Sequence, residues 1–343
     1  MGCEIFLTFV VPCYNVQEYL SRCLESLSRQ KIDSGEGIEF VLVNDGSPDN
    51  CLELLNEFAL KDNRAVVIDQ SNQGVSAARN AGLRIAKGKY VFFLDGDDWL
   101  TDEASNSIYD ACSSCMPDIV ITNAFTVKEG EWDKKGKWNP CGSLYADIYK
   151  TELFVKSVKE LPISFKAYKK DFLISNSIFF DNDLKVGEVY VFFLHALLYA
   201  EDVSFTDKYI MNYLYRKGSV MRDFSLKRDP LILTTISRID LYGQQFPFDI
   251  RRLRSYNVTF YKIVAKFSFM KYSSSPYNDQ LGIFVSQIVR NEIFKEVLRY
   301  FIFKKPGCNR FTFNCAILKF FPIYLALCFL RTEKKIFNFI NTL

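Results

Sequence analysis

The chain has 343 residues, of which 49% are hydrophobic and 24% are charged. This length suits one large domain with a smaller additional region. The modest formal net charge of +3 argues against a nucleic-acid-binding protein, so no nucleic acid is expected as a partner. The ten cysteines lack the spacing of a secreted disulfide framework, which predicts free thiols in a reducing cytoplasm.

The first hundred residues alternate between strand and helix patterns. Four segments have the apolar composition of buried strands: 5–11, 39–43, 65–68 and 90–94. Helical patterns follow the first three strands, and Ser47 with Pro48 predicts the start of the second helix. The third helix is predicted at about 74–87. This β-α-β-α-β-α-β order predicts an α/β fold with a doubly wound, mostly parallel sheet and helices on both faces.

Polar residues follow three of the predicted strands. The three segments are Pro12-Cys13-Tyr14-Asn15, Asn44-Asp45-Gly46-Ser47 and Asp95-Gly96-Asp97-Asp98. The carboxyl ends of parallel strands meet at one edge of the sheet, where open α/β sheets bind ligands. We therefore expect Tyr14, Asp45 and the acidic segment to lie close together.

The acidic segment after the fourth strand indicates a metal site. Asp95, Asp97 and Asp98 surround Gly96, and three neighbouring carboxylates raise one another's pKa unless a cation is present. Carboxylate oxygens are hard ligands suited to Mg²⁺ or Mn²⁺, and such ions keep positions for phosphate oxygens. A solvated acidic turn is the alternative interpretation.

The third predicted helix adds a cation to this edge. Ser76, Arg79 and Asn80 share one helical face. Arg79 is a forked donor that matches a phosphate or a base edge, although an ordinary surface arginine is the alternative. Ala78 and Gly82 are small, which predicts close packing of this helix against the sheet.

The combined motifs resemble those of family 2 glycosyltransferases with the GT-A fold. The segments are FVVPCYNVQEYLSRCLESL, EFVLVNDGSPDNC and NQGVSAARNAGLRIAKGKYVFFLDGDDWL, and the match continues more weakly to about residue 222. Most similar are bacterial enzymes that build capsule, lipopolysaccharide and other surface glycans. The resemblance implies inverting transfer of a sugar from a nucleoside diphosphate sugar, with a UDP-sugar as the default donor, to a glycan or lipid-linked acceptor.

The resemblance also assigns roles to individual residues. The implied nucleotide-sugar-binding residues are Pro12, Tyr14, Asn15, Asp45, Arg79, Asn80, Asp95 and Gly96. Asp95 and Asp97 match a DxD element in which the first aspartate faces the ribose and the second reaches a Mn²⁺ or Mg²⁺ ion. Such an ion would stabilise the charge of the departing nucleoside diphosphate.

The sequence departs from the family pattern at the catalytic base. Related enzymes have a Glu-Asp pair followed by two residues and Phe, and the Asp is the base. Here Glu188 and Phe192 match, but Val189 stands at the place of the base and cannot accept a proton. Glu188 is therefore the predicted base, and a helix-start acid that stabilises the helix dipole is the alternative role.

Other interpretations of this departure remain open. Asp181, Asp183 or Asp202 would supply the base if one of them reaches the site. Otherwise the chain is a catalytically weak sugar-nucleotide-binding protein. A haloacid-dehalogenase-like phosphatase also has Asp-x-Asp after a strand, but its motif follows the first strand and not the fourth.

Two further regions bear on ligands. Arg216 and Ser219 follow the family's closing strand and either touch the diphosphate or are surface turn residues. The segment 128–137 has the composition of an exposed loop, in which Trp132, like nearby Trp138, would lie over an acceptor sugar.

The region 226–343 differs in composition from the catalytic domain predicted at 1–225. It is helical in pattern and rich in aromatic and basic residues, and its run 311–330 is almost long enough to span a bilayer but contains Lys319 and Pro322. Such composition favours an interfacial helix on the inner membrane, and helices packed on the catalytic domain are the alternative. The predicted location is cytoplasmic, peripheral at the cytoplasmic face of the membrane.

Overall fold

The computed structural model describes residues 4–113, 115–132, 135–138, 165–185, 187–216 and 238. The strands are β1 Ile5–Cys13, β2 Gly37–Asp45, β3 Ala65–Gln70, β4 Tyr90–Phe93, β5 Trp99–Leu100, β6 Ile119–Lys128, β7 Lys135–Trp138, β8 Lys166–Lys169 and β9 Val203–Tyr215. The helices are α1 Gln17–Ser28, α2 Cys51–Lys61, α3 Val75–Ile85, α4 Ala104–Ser113, α5 Lys170–Ser175 and α6 Glu188–Tyr199.

The described strands form one sheet in the order β3-β2-β1-β4-β8-β6-β9-β5, with β7 paired to β6. The neighbours β3, β2, β1 and β4 are all parallel, which confirms the predicted α/β sheet. Beyond β4 the sheet is mixed, because β8 is antiparallel to β4 and to β6, whereas β6 and β9 are parallel. Part of the segment 128–137, predicted as a loop, is strand, because Lys128 ends β6 and residues 135–137 lie in β7, which pairs with β6.

Alternate residues of β1 pack on opposite faces of the sheet, so helices cover both faces as predicted. Phe9 and Val11 lie in a core cluster with Leu20 of α1. Val10 faces α3, where a Cβ on Gly82 would lie 2.3 Å from Val10 Cγ1. The predicted close packing of this helix against the sheet is therefore confirmed, and it leaves no room for a larger residue at position 82.

A second apolar cluster fixes α6 on the sheet. Phe192 stacks on Phe180 with ring centroids 3.9 Å apart, and Phe93 of β4 packs edge-on against both rings. Tyr168 of β8 closes the cluster against Phe192 at 5.2 Å. Burial of each phenylalanine side chain contributes about 2 kcal/mol, so this cluster determines where α6 begins relative to β4.

The predicted start of the second helix at Ser47 and Pro48 is wrong. The helix begins at Cys51, after the N-cap residue Asn50, and the Asp49 carboxylate accepts a hydrogen bond from the Cys51 amide at 3.1 Å. Asp49 also accepts from the Gln17 amide of α1 at 3.0 Å. Burial opposes ionisation of Asp49, but these hydrogen bonds lower its pKa to about 2. One carboxylate thus stabilises the first turns of two helices.

The predicted C-terminal region lies outside the described residues, except for Arg238. Its helices and the domain boundary at 225 therefore stay predictions. Within the part of the chain that the structure describes, no helix is long and apolar enough to cross a membrane.

Candidate functional site

The residues singled out by the sequence meet at the carboxyl edge of the parallel strands. Tyr14 follows β1, Asp45 ends β2 and Asp95 follows β4. Strand order places β1 between β2 and β4, so these three ends are neighbours. This is the edge at which open α/β sheets bind ligands. The predicted convergence of Tyr14, Asp45 and Asp95 is confirmed.

The three aspartates after β4 differ in their surroundings. The side chain of Asp95 is 33% exposed and that of Asp97 is 21% exposed. Burial and the charge of Asp95 raise the pKa of Asp97, although Arg216 opposes this shift. Asp98 is buried, accepts a hydrogen bond from the Leu214 amide at 2.8 Å, and has its pKa raised well above the usual value by burial and by its acidic neighbours. Asp98 thus joins the acidic segment to β9, and Asp95 and Asp97 face the site.

Gly96 is closely packed under the acidic segment. A Cβ at this position would lie 3.2 Å from Val16 Cγ2 and 3.3 Å from both Cys13 Sγ and the Pro12 carbonyl oxygen. A side chain at position 96 would therefore require these neighbours to shift by a few tenths of an ångström. Pro12 and Gly96 are in mutual contact range, and their contact with a nucleotide stays a prediction.

Arg79 is buried and joins two acidic residues. Its Nη2 donates to Asp95 Oδ1 at 2.7 Å, and its Nη1 donates to Glu188 Oε1 at 3.1 Å. Burial lowers the pKa of Arg79, but the charges of Asp95 and Glu188 more than offset burial and raise it. With only 4% of its surface exposed, Arg79 is not an ordinary surface arginine. It links α3, the acidic segment and the start of α6.

Glu188 is the first residue of α6 and lies at the site. Gly187 precedes it with φ of 80°, a conformation that glycine adopts without steric cost. Phe192, one turn later, anchors the same helix in the aromatic cluster. The Glu188 side chain is 15% exposed and paired with Arg79. The structure thus places Glu188 beside the carboxyl end of β4, and its role as the base stays a prediction.

The alternative base Asp202 lies at the opposite edge of the sheet. Its carbonyl oxygen accepts a hydrogen bond from the Asp118 amide at 2.9 Å. Asp118 in turn accepts from Lys169, which pairs with Tyr90 at the amino end of β4. Asp95 follows the carboxyl end of that strand, so Asp202 is wrong as a candidate base.

Asn80 connects α3 to the segment that precedes α6. It is buried, donates to the Phe180 carbonyl at 2.8 Å and to Asn182 Oδ1 at 3.2 Å, and accepts from the Phe180 amide at 2.8 Å. Asp181 and Asp183 belong to the segment that Asn80 holds. The polar atoms of Asn80 are thus engaged within the protein, and its predicted contact with a nucleotide is untested.

Asp45 organises the loop that leads into α3. It is 2% exposed and accepts hydrogen bonds from Gln70 Nε2 at 2.7 Å, the Gln73 amide at 2.9 Å and the Gly74 amide at 2.8 Å. All three donors precede α3, so Asp45 fixes where that helix starts. This contact was not predicted, because the sequence gives no signal that links residue 45 to residues 70–74.

Tyr14 and Asn15 form the exposed rim of the site. Tyr14 is 49% exposed, which leaves its ring available for stacking on a base. Asn15 has a φ of 53°, and its amide donates to Ser47 Oγ at 2.7 Å. Asparagine tolerates this left-handed conformation better than most residues. The loops after β1 and β2 are therefore joined at the place where the resemblance expects the base and ribose.

Arg216, which follows β9, contacts the acidic segment. Its Nε donates to Asp97 Oδ2 at 2.6 Å, and its guanidinium lies 5.2 Å from the centroid of the Tyr19 ring. Tyr19 Oη donates to Glu129 Oε1 at 2.6 Å. The sequence had assigned Arg216 either to a diphosphate or to a surface turn. Its ion pair with Asp97, and the presence of Tyr19 and Glu129 at this site, were not predicted.

The carboxylates of Asp95 and Asp97 at this edge fit a divalent cation whose remaining ligands are phosphate oxygens. Among the described residues, no group of three or more His, Cys, Asp or Glu side chains could enclose a metal ion. Mg²⁺ in nucleotide sites is commonly held by one or two carboxylates together with substrate phosphates. Burial and the charge of Asp95 raise the pKa of Asp97, and such a positive charge would stabilise the ionised form of its carboxylate.

Comparisons with known proteins agree with this geometry. Residues 8–174 match the sequence profile described as Glycosyl transferase family 2. Glycosyltransferase GlyG from Streptococcus pneumoniae is 30% identical over 248 residues, which cover 65% of this chain and 76% of that protein. Glycosyltransferase GlyA from the same organism is 33% identical over 232 residues, 64% of this chain, but the chain spans only 32% of its length.

A solved structure has the same fold. The crystal structure of S. aureus TarS 1–349 in complex with UDP-GlcNAc has a TM-score of 0.67 and 18% identity, and the match covers 97% of this chain and 92% of that chain. At this low identity the match shows the fold alone, and the match in fold confirms the predicted GT-A architecture. The profile match and the identity to GlyG show more, namely that the chain belongs to glycosyltransferase family 2.

Proposed function

We propose that the protein is a metal-dependent inverting glycosyltransferase that uses a UDP-sugar and a hydroxyl of a glycan or lipid-linked acceptor in cell-surface polysaccharide synthesis. The observation that supports it best is the buried Arg79 between Asp95 and Glu188, with Asp97 alongside, at the carboxyl edge of β4. The TarS structure of the same fold is a complex with UDP-GlcNAc, which supports the choice of donor class.

The donor would lie along this edge with its base towards β1 and β2. Tyr14 offers an exposed ring for the base, and Asp45 holds the loop before α3 in place. Asp95 would face the ribose and Asp97 would hold a Mn²⁺ or Mg²⁺ ion. When bound, that ion would neutralise charge on the diphosphate leaving group.

In the transfer step, the acceptor oxygen forms a bond to the anomeric carbon while the bond from that carbon to the diphosphate oxygen breaks. The nucleoside diphosphate departs with the bonding electron pair, and the acceptor's proton passes to Glu188. Glu188 must therefore loosen from Arg79, because a carboxylate held by a guanidinium is a weak base. Attack opposite to the leaving group inverts the anomeric configuration.

A catalytically weak sugar-nucleotide-binding protein is the second candidate. Val189, at the place where related enzymes have the base, favours it. Both candidates share every donor-binding residue, so turnover with an acceptor separates them. The phosphatase alternative is not supported, because the chain belongs to a glycosyltransferase family.

The first experiment measures nucleotide release from UDP-, GDP- and dTDP-sugars with Mn²⁺, with Mg²⁺ and with EDTA. We expect slow release from one donor and loss of that release in EDTA. Asp97→Ala should abolish metal-dependent donor binding, and unchanged affinity would refute the metal assignment. Asp102→Ala is the matched control, because its side chain is 71% exposed and pairs with Arg29 away from the site.

The second experiment tests the base. Glu188→Gln keeps an oxygen acceptor for Arg79 but cannot take up a proton, so donor binding should persist while kcat falls. Glu39→Gln is the control, since Glu39 of β2 is also buried but accepts a hydrogen bond from Thr8 of β1. Full activity of Glu188→Gln would exclude Glu188 as the base, and inactivity of wild type with every acceptor would favour the binding-protein candidate.

Peripheral contact with the cytoplasmic face of the membrane is part of the same proposal. It rests on the aromatic and basic composition of 226–343. Co-sedimentation of the full chain with anionic vesicles, but not with neutral ones, is the expected result. No co-sedimentation with either would argue against membrane contact.

A further inference from the structure

The contact between Arg216 and Asp97 places a protein cation where the proposed function requires a metal cation. Arg216 Nε lies 2.6 Å from Asp97 Oδ2, and the two side chains are 23% and 21% exposed. Of the two aspartates of the DxD element, Asp97 is the one assigned to the metal. The guanidinium of Arg216 and a divalent ion would therefore both bind the same carboxylate.

The surroundings explain why the Asp97 carboxylate pairs with a cation. Asp97 is mostly buried and lies beside the negative charge of Asp95, which raises its pKa. A nearby positive charge favours the ionised carboxylate and offsets this repulsion. Arg216 supplies one positive charge, whereas a divalent ion would supply two.

A second carboxylate, that of Glu129, lies near Arg216. The Arg216 guanidinium lies 5.2 Å from the centroid of the Tyr19 ring, and Tyr19 Oη donates to Glu129 Oε1 at 2.6 Å. The Glu129 amide also donates to the carbonyl of Tyr215, the residue before Arg216. The charge of Glu129, like that of Asp97, raises the pKa of Arg216, so the arginine lies within the field of both acids.

The two arginines of the site are not equivalent. Arg79 has a side chain only 5% exposed and bonds two carboxylates at once. Arg216 is more exposed, and within the described part of the chain its ion pair is with Asp97. Breaking a partly exposed ion pair costs less free energy than breaking a buried one, so the partly exposed pair is easier to exchange. Arg216 is therefore the arginine that an incoming cation can replace.

We propose that Arg216 is an internal counter-ion that competes with the divalent cation for Asp97 and moves to Glu129 when the cation binds. The proposal rests on the metal-dependent donor binding of the proposed function. Its consequence is that Arg216 keeps the metal affinity of the nucleotide-free protein low. The cation then binds firmly only when the diphosphate adds further oxygen ligands.

Mn²⁺ binding to the full chain without nucleotide, measured from the electron paramagnetic resonance signal of free Mn²⁺, tests the competition. Arg216→Gln should bind Mn²⁺ about tenfold more tightly than wild type, the change that corresponds to about 1.4 kcal/mol. Arg216→Lys, which keeps the charge, should remain close to wild type. Arg22→Gln is the matched control, because Arg22 lies over the rings of Trp99 and Trp132 and its loss removes one nearby positive charge.

Glu129→Gln tests where Arg216 goes. This change keeps an oxygen acceptor for Tyr19 but removes the alternative carboxylate, so Mn²⁺ affinity should fall several-fold in the wild-type background. In the Arg216→Gln background the same change should have much less effect on Mn²⁺ affinity, because there is no longer an arginine at position 216 that could pair with residue 129. Equal losses in both backgrounds would show a direct charge effect and would overturn the transfer to Glu129.

The outcomes separate the two proposals. If wild type binds Mn²⁺ with UDP present, and Arg216→Gln binds free Mn²⁺ no more tightly than wild type, the competition is refuted and the proposed function stands. An equal gain from Arg22→Gln would also refute it, since net charge alone would then explain the result. If neither wild type nor Arg216→Gln binds Mn²⁺ with or without UDP, both proposals fail.

Discussion

Replacement of Arg79 by methionine is the sharpest test of how the site is held together. Methionine has a similar length and fills the buried space, but it leaves Asp95 and Glu188 without their shared counter-charge. The change therefore separates the loss of charge pairing from the loss of packing. It should destabilise the protein and abolish donor binding at the same time.

The burial of each partner determines the magnitude. Removal of one partner from a fully buried ion pair costs about 3–5 kcal/mol, because a charge remains in an apolar environment. The Asp95 side chain is 33% exposed and that of Glu188 is 15% exposed, so water screens part of the uncompensated charge. We therefore expect the free energy of unfolding to fall by about 2–4 kcal/mol, towards the lower part of the buried-pair range.

Urea denaturation followed by tryptophan fluorescence measures this loss, and titration with UDP-sugar measures binding. Adding Glu188→Gln to Arg79→Met removes one unpaired charge, so the double variant should recover part of the stability but none of the binding. Arg64→Met is the control, because Arg64 pairs with Asp62 and bonds the carbonyls of Ser28 and Gln30 far from the site. A loss below about 1 kcal/mol for Arg79→Met would refute the central role of this pair, since that is the range of surface ion pairs.

Three further changes test the frame of the site. Asp49→Asn leaves one side-chain oxygen for the amides of Gln17 and Cys51, so stability should fall by about 1 kcal/mol in urea denaturation at pH 7. Because the folded pKa of Asp49 is lowered to about 2, its contribution is present above about pH 4 and is lost as the pH falls towards 2; the variant should lack that acid-dependent loss. Gly82→Ala places a methyl 2.3 Å from Val10 Cγ1 and should lower the melting temperature, although alanine favours helices. His195 lies in α6, where burial lowers its pKa to about 4. Wild type should therefore lose stability as the pH falls from about 6.5 to 4, and His195→Gln should show a smaller loss in thermal melts over that range.

The parts of the fold that depend on local patterns were predicted from the sequence. The apolar runs gave β1, β2, β3 and β4 within about two residues of their observed bounds, because strands buried on both faces leave continuous apolar segments. The parallel order of these strands then followed from the alternation with helices. The convergence of Tyr14, Asp45 and Asp95 needed only this topology, so it was predictable as well.

Contacts between distant segments were not predictable. Arg216 and Asp97 are 119 residues apart in sequence, and Arg79 and Glu188 are 109 apart. Nothing in the local pattern of either partner indicates the other, because the mixed half of the sheet determines which loops meet. The same reason explains why the start of α2 was wrongly predicted at Ser47. Asp49, which precedes the observed start, is held by a hydrogen bond from the Gln17 amide of α1, a contact that the local sequence does not indicate.

The balance of charge at the site gives a reason for donor and cation to bind together. Asp95, Asp97 and Glu188 are paired with only two guanidinium groups, those of Arg79 and Arg216. This ion-pair cluster thus has one excess negative charge, and a diphosphate brought alone would meet repulsion. A divalent cation reverses the sign of that excess, so UDP should bind far more tightly with Mn²⁺ than with EDTA in isothermal titration calorimetry. Equal affinity under both conditions would mean that the protein's own arginines suffice for the diphosphate, and the metal would then have no part in donor binding.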